Sequence, residues 1–116
     1  MSETTHPLLP MALLERAAET LRILAHPHRL RICELLLEER VPVKVLTEQL
    51  GIAGNAVSQH LNIMKAHGIL GCEREGKTVF YRVIDPRPAW LLGCIRGHGQ
   101  DQVDTASGRD GTAREK

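Results

Sequence analysis

The sequence predicts a mainly helical domain that carries one small β-hairpin. Between residues 46 and 64, apolar side chains recur at helical spacing and are interrupted by Gly51 and Gly54, which is typical of two helices joined by a tight turn. After Gly68 the apolar period changes to that of strands, with a turn at Gly76. The chain has 116 residues, 42% of them hydrophobic, and is therefore large enough to bury one core.

Two further helices are expected before this pair. Residues 1–10 contain two prolines and are predicted to form a flexible arm, and a helix is predicted over 11–25. This helix carries two apolar rows, which are Leu14, Ala18, Leu21 and Ala25 in one and Leu13, Ala17 and Leu24 in the other. Two rows on one short helix indicate contact with the chain's own core and with a second subunit. The next helix is predicted to begin at Pro27, a residue that suits the first helical position.

Local sequence patterns also predict the bounds of the later helices and strands. The predicted bounds are 43–50 and about 55–67 for the helix pair, 69–75 and 78–84 for the strands, and 89–96 for a final short helix. Gly68 is placed as a left-handed C-cap of the second helix in the pair. The ordered domain is therefore expected to span 11–97. The tail of 98–116 is small, polar and without periodicity, so it is predicted to be disordered.

Composition limits the classes of function. With 15 basic and 14 acidic residues the chain is not a polycation, so any affinity for nucleic acid must come from a local patch. We find no glycine-rich phosphate loop, no nucleophile elbow and no paired carboxylates on one face, which argues against an enzyme. No apolar run approaches the roughly 20 residues that span a bilayer. The N-terminus lacks a secretion signal, and three cysteines are too few for a disulfide scaffold, so a reducing cytoplasm is expected.

The polar face of the second helix in the pair predicts that the chain binds duplex DNA. Its side chains can donate hydrogen bonds to phosphates and base edges. The face lacks the dense positive charge that is typical of a nonspecific DNA binder. The candidate contacts on this helix are Asn55, Ser58, Gln59, His60 and Lys65. Lys65 is expected at the DNA backbone, and the ring of His60 has an alternative role in bracing the turn. The competing interpretation for the whole set is a solvated helix face.

The hairpin adds basic residues that can reach phosphates or a minor groove. These are Arg74, Lys77 and Arg82, of which Lys77 lies at the predicted tip. For Arg74 and Arg82 the alternative is cross-strand pairing with Glu73 or Glu75, and both roles can coexist.

Helices, a helix-turn-helix, a hairpin and a closing helix follow one another in winged-helix order. Over 11–97 the chain resembles the ArsR/SmtB family of bacterial transcriptional repressors. The matching segments are 24–32 (LAHPHRLRI), 46–51 (LTEQLG), 56–61 (AVSQHL), 68–70 (GIL) and 76–81 (GKTVFY). The resemblance implies a homodimer, with its interface built from the first and last helices, that occupies an inverted-repeat operator in double-stranded DNA and leaves it when an inducer binds.

The family's known inducer sites are only partly represented. Members that sense arsenic or cadmium carry a Cys-x-Cys pair where this chain has Pro42 and Lys44, so that site is absent. Members that sense zinc or nickel use Asp and His ligands on the last helix, where this chain offers only His98. No cofactor is implied with certainty, and a metal ion, arsenite or a reactive sulfur species remains a possible inducer.

Thiols are the remaining sensor candidates. Cys94 and His98 are four residues apart and share a helical face if the last helix extends that far. Cys33 resembles a redox thiol of some family members, but its apolar row favours packing. Cys72 lies on a strand with nothing to bring it near the others.

Two histidines flank Pro27. His26 and His28 are two residues apart and are expected to face different ways, which favours helix capping over metal binding. A different class of function also stays open, namely a winged-helix interaction or architectural module without an inducer. Its operator affinity would not change with metals, arsenite, persulfide or oxidants.

Overall fold

The computed structural model describes residues 6–109 and contains five helices and three short strands within them. The elements are α1 (Met11–Leu24), α2 (Pro27–Glu38), β1 (Val41–Pro42), α3 (Val43–Leu50), α4 (Gly54–Ala66), β2 (Leu70–Glu75), β3 (Thr78–Val83) and α5 (Arg87–Arg109). The predicted fold class is confirmed, because a helix-turn-helix is followed by a hairpin and a closing helix.

The turns of the helix-turn-helix depend on glycine. α3 ends at Gly51, whose φ is 68°, and the chain leaves α4 through Gly68 with φ 75°. A side chain would be strained in this left-handed conformation, so glycine is favoured at both positions. The predicted left-handed cap at Gly68 is confirmed. The same physics applies at Gly76, with φ 63°, in the turn between β2 and β3.

The strands form one antiparallel sheet in the order β1-β3-β2. β2 and β3 make the predicted hairpin, in which Cys72 is opposite Tyr81 and Glu75 is opposite Thr78. β1 was not predicted, because a two-residue strand that contains Pro42 has no sequence pattern of its own. It pairs at the edge of β3, where a proline can be tolerated. β1 fixes the start of α3 against the hairpin.

The core lies between the helices and one face of the hairpin. Its most completely buried side chains come from α1, α2, α3, α4, the entry to β2 and the start of α5, and they are Leu24, Ile32, Cys33, Leu46, Val57, Leu61, Met64, Ile69, Leu70 and Pro88. α3 and α4 therefore cannot move independently of the rest of the domain without exposing apolar surface.

The last helix differs from the prediction at both ends. It begins at Arg87, whose backbone N–H donates to the carboxylate of Asp85 at 2.8 Å. It continues to Arg109, beyond the predicted end at residue 96 and into the segment predicted as a tail. Glycine weakens a helix but does not end it as proline does, and no proline follows Pro88. The rest of the predicted tail, 110–116, lies outside the described residues.

The predicted N-terminal arm falls partly outside the described residues, which exclude 1–5. Residues 6–10 are exposed and belong to no helix or strand. None of the helices described over 6–109 combines the length and the apolar character needed to cross a membrane.

Candidate nucleic-acid interface

The predicted polar face of α4 is exposed along its whole length. Asn55, Ser58, Gln59, Asn62 and Lys65 are all exposed. The opposite face inserts Val57, Leu61 and Met64 into the core, with at most 1% of each residue accessible to solvent. This division fixes the rotation of α4 about its axis, and it presents amide, hydroxyl and ammonium groups outward as one set. Such groups match the donors and acceptors on base edges and phosphates in a major groove.

The N-terminal end of α4 also favours an anion. No side chain caps this end of the helix, and its first turn contains no acidic residue. The first backbone N–H groups of a helix have no partner within it, and the helix dipole adds positive potential there. A DNA phosphate placed at this end, close to Asn55 and Ser58, would accept hydrogen bonds from these N–H groups.

His60 is separate from this exposed set. Its ring is half-buried, and its Nδ1 accepts a hydrogen bond from the Nε–H of Arg29 at 3.2 Å. The ring also packs edge-on against His26, with 4.5 Å between centroids. Burial lowers the pKa of His60, and the nearby His26, Arg29 and His28 lower it further. The structure therefore joins His60 to the α1–α2 junction.

The predicted capping role of His26 is confirmed. His26 has an extended backbone, and its Nδ1 accepts the backbone N–H of His28 at 3.2 Å, which caps α2. The expectation that the two rings face different ways is wrong, because their centroids are 5.7 Å apart. The extended residue before Pro27 turns both side chains to the same side of the chain, which a helical spacing rule does not anticipate.

The hairpin of β2 and β3, here called the wing, carries exposed basic side chains. Arg74 and Lys77 are exposed and have no ion-pair partner among the side chains described over 6–98. Lys77 lies at the tip and lines a shallow surface cleft together with Lys44, from the start of α3. Lys44 was missed as a candidate contact, because it meets the wing only through the pairing of β1 with β3.

Arg82 takes the second of its two predicted roles, which is cross-strand pairing with a glutamate. It lies 3.0 Å from Glu73 in an ion pair. Arg40 completes the network, at 2.9 Å from Glu73 and 2.8 Å from Glu75, with its guanidinium over the ring of Phe80. Because both acidic side chains of the wing are paired, they repel phosphate less than unpaired carboxylates would. The hydrogen bond from Arg40 also lowers the pKa of Glu75.

A second exposed surface is apolar and lies on α1 and α5. Trp90 is 70% exposed, and further large apolar side chains on these helices and just before α1 are also exposed, namely Leu8, Leu9, Met11, Leu14, Leu21 and Ile95. Several large apolar side chains exposed on two helices of a small domain are typical of a protein–protein contact. The two apolar rows predicted on the first helix agree with this division, because Leu24 is buried while Leu14 and Leu21 are exposed.

Comparison with known proteins identifies the family. A family model described as a helix-turn-helix domain matches residues 24–72. Over 95 residues the chain is 38% identical to the HTH-type transcriptional repressor SmtB of Mycobacterium tuberculosis. The aligned region covers 81% of this chain and 70% of that protein. The chain belongs to the ArsR/SmtB family of winged helix-turn-helix transcriptional regulators. It is therefore a DNA-binding regulator and not an enzyme, as the sequence analysis predicted.

Two further comparisons agree with this assignment. The nodulation protein NolR of Rhizobium meliloti is 30% identical over 106 residues, which are 90% of this chain and 87% of that protein. The crystal structure of NolR from Sinorhizobium fredii is similar with a TM-score of 0.69 and 29% identity, over 80% of this chain and 95% of that chain. The resemblance to ArsR/SmtB proteins therefore extends well beyond the helix-turn-helix itself.

The three thiols of this ArsR/SmtB protein lie in different environments. Cys33 is buried in the core, where burial and the nearby Asp85 raise its pKa to about 12. Cys72 on β2 and Cys94 on α5 are free and exposed. His98 is exposed one turn after Cys94 on the same helix. The thiolate is the reactive form of cysteine, so the structure disfavours Cys33 as a sensor and leaves Cys94 with His98 as the accessible pair.

Alkylation of the native protein at pH 7.5 is expected to modify Cys72 and Cys94 but not Cys33. The first two thiols are exposed, whereas Cys33 is both inaccessible and held in its protonated form. Peptide mass spectrometry after brief treatment with iodoacetamide measures the outcome. The same treatment in denaturant serves as the control and is expected to modify all three thiols. Rapid native labelling of Cys33 would contradict its placement in the core.

Proposed function

We propose that the protein is a homodimeric repressor that binds an inverted-repeat operator through α4 and the wing and leaves it when an inducer binds. The observation that carries the proposal is the division of α4 into a polar face, fully exposed, and an apolar face, fully buried. A helix held in this way can enter a major groove without rearrangement of the domain. As a bacterial repressor it would act in the cytoplasm, where the operator is.

The proposed contacts divide into two groups. Asn55, Ser58 and Gln59 lie in the N-terminal half of α4 and would read base edges, with Gln59 able to bind adenine through both its amide atoms. The second group would contact phosphates, and it consists of Lys65, Arg74, Lys77 and Lys44. Arg82 and His60 are left out of the primary contacts, because Nε of Arg82 is paired with Glu73 and Nδ1 of His60 accepts a hydrogen bond from Arg29.

The homodimer is proposed from the apolar surface of α1 and α5. Two copies joined through this surface would bury Trp90 and its exposed neighbours from water. Twofold symmetry would then present two α4 helices to one side of the duplex. Half-sites in the operator would be separated by about one helical turn, roughly 34–36 Å, or a multiple of it.

Replacing Gln59 by alanine is expected to weaken operator binding at least ~5-fold, because a bidentate base contact contributes about 1–3 kcal/mol. Fluorescence anisotropy with a labelled promoter fragment measures the change, and a scrambled fragment measures the loss of sequence preference. Circular dichroism is expected to be unchanged, since the Gln59 side chain is exposed.

Gln49→Ala is the matched control for this experiment. Gln49 is an exposed glutamine on α3, on the side that faces α2 and β1 together with Glu38 and Val41. It should therefore bind the operator like the wild type. Equal affinity of the Gln59→Ala variant and the wild type would remove Gln59 from the contact set, and equal binding of both DNA fragments would favour an architectural module instead.

We propose further that a thiol-reactive inducer acts at Cys94. This exposed thiol lies on α5, one turn after Trp90 and next to the surface assigned to the dimer, so a bulky or charged adduct there would disturb the interface. His98, one turn later, would be available to assist as a proton acceptor or second ligand.

Cys94→Ser is expected to reduce release from the operator by arsenite or polysulfide at least ~10-fold in inducer dose, because the hydroxyl is not a soft ligand or a comparable nucleophile. Binding without inducer should be unchanged. The matched control is Cys72→Ser, which removes the other exposed thiol. Release of the Cys94→Ser variant at the wild-type dose would assign sensing to a different residue.

A further inference from the structure

Three histidines from two separate parts of the sequence converge beside α4. His26 precedes α2, His28 lies in its first turn, and His60 projects from α4 toward both. We call this cluster the histidine trio. Each ring is half-buried, and one nitrogen from each ring lies within 4.8 Å of the corresponding nitrogens of the other two. The trio is the only group of three or more potential metal ligands among the described side chains.

The spacing of the rings suits a small metal ion. Zn²⁺ binds imidazole nitrogen at about 2.0–2.1 Å in tetrahedral geometry, which places the centroids of two bound rings roughly 5 Å apart. The observed separations are 4.5 Å for His26 and His60, 5.7 Å for His26 and His28, and 6.1 Å for His28 and His60. These values lie on both sides of the expected separation. Side-chain rotations that shorten the nitrogen separations, which lie within 4.8 Å, to roughly 3.3 Å would bring three nitrogens to bonding distance of one ion.

We propose that the histidine trio binds one divalent transition-metal ion of the zinc and cobalt class, with water at a fourth position. Three neutral imidazoles are typical ligands for such ions, whereas calcium and magnesium prefer oxygen. Metal binding itself is independent of the proposed repressor function. Only the effect of the metal on operator affinity rests on that function.

The hydrogen bonds within and around the trio explain how a metal would affect α4. A neutral imidazole has one ring nitrogen with a free lone pair. In His60 that nitrogen is Nδ1, which accepts from Arg29, and in His26 it is Nδ1, which accepts from the backbone of His28. A metal must take these lone pairs or force the opposite tautomers. In either case both hydrogen bonds are lost.

Arg29 connects this loss to the position of α4. Its Nη1 donates to the carbonyl oxygen of Ile23 at 3.0 Å while its Nε donates to His60. One guanidinium thus ties the end of α1 to the middle of α4. Metal binding would replace this tie by one ion bound to His60, His26 and His28 together, so α4 would be held differently against the α1–α2 junction. We therefore expect the metal to lower affinity for the operator.

The first experiment measures metal binding with Co²⁺, whose visible absorption reports the geometry and the type of ligand. We expect one tetrahedral Co²⁺ per wild-type chain and no thiolate charge-transfer band, since the trio contains no cysteine. His28→Gln is the main variant and is expected to bind at least ~10-fold more weakly. The ring of His28 makes no hydrogen bond to the side chains or backbone described over 6–98, and its backbone N–H, which forms the α2 cap, is retained.

The matched control is His67→Gln. His67 is an exposed histidine at the C-terminal end of α4, where it lies 3.2 Å from Glu19. It is expected to leave Co²⁺ binding unchanged. Absence of Co²⁺ binding by the folded wild type would overturn the proposal and leave the trio as a structural contact. A thiolate band, or equal binding by His28→Gln and the wild type, would overturn it as well.

The second experiment adds Zn²⁺ to the complex with operator DNA. Operator binding in the presence of a chelator tests the proposed repressor function by itself, and its absence would leave the result of the Co²⁺ experiment valid. Given binding, we expect Zn²⁺ to lower the operator affinity of the wild type at least ~10-fold and to have little effect on His28→Gln. A response of equal size in both proteins would overturn the coupling through the trio, and so would no response in the wild type.

Discussion

Trp90→Glu is expected to convert the protein to a monomer at micromolar concentration and to lower operator affinity by about two orders of magnitude. Trp90 is 70% exposed in the single chain, on the apolar surface that we assign to the dimer. In a twofold dimer the substitution would place two carboxylates at one interface, which opposes association. A monomer would lose the gain from simultaneous binding of two half-sites, which is typically ~10²–10⁴-fold. Analytical ultracentrifugation and anisotropy measure the two effects.

The control for this variant is Leu37→Glu. Leu37 is also an exposed apolar residue, with 37% of its surface accessible, but it lies on α2 and outside the α1–α5 surface. The same charge there should leave both the dimer and operator binding intact. Circular dichroism distinguishes loss of association from loss of folding. A Trp90→Glu protein that remains dimeric and binds DNA normally would refute the proposed interface.

Features set by neighbouring residues were predicted well from the sequence. α3 has the predicted bounds, and α4 differs by one residue at each end, because apolar spacing and glycine breaks are local signals. The left-handed conformation of Gly68 follows from the position of this glycine directly after the last turn of α4. The exposed candidate contacts on α4 follow from the same period, since a helix with one buried face must expose the other.

Features set by contacts distant in sequence were not predicted. The orientation of His60 depends on Arg29 and His26, which belong to another helix and its cap. The helical period predicts only that His60 lies next to Gln59 on α4. It does not show that the guanidinium of Arg29 donates a hydrogen bond to the His60 ring, which makes the ring less available to DNA. Arg40 was missed for the same reason, since its partners lie on the wing. Long-range pairing of this kind has no signature in one sequence.

Leu46→Ala is expected to lower the free energy of unfolding by about 2–5 kcal/mol. The side chain of Leu46 lies in the middle of α3 and is completely buried in the core shared with α2 and α4. Alanine would leave a cavity where α3 supports α4. Small domains are stable by only ~5–15 kcal/mol, so the loss is a large fraction of the total. Urea denaturation followed by circular dichroism measures it, and operator affinity at 37 °C should fall as the folded fraction falls.

Leu37→Ala is the control for this second variant and removes the same atoms from a partly exposed site. It is expected to cost less than about 1 kcal/mol, because little apolar surface loses its contacts and water can occupy the space. Both variants must be compared at one protein concentration, since dimerisation contributes to apparent stability. If the Leu46→Ala and Leu37→Ala variants lost the same free energy of unfolding, the buried side chain of Leu46 would not be the contact that holds α3 in the core. The exposed face of α4 would then lack the rigid support on which its role in DNA recognition depends.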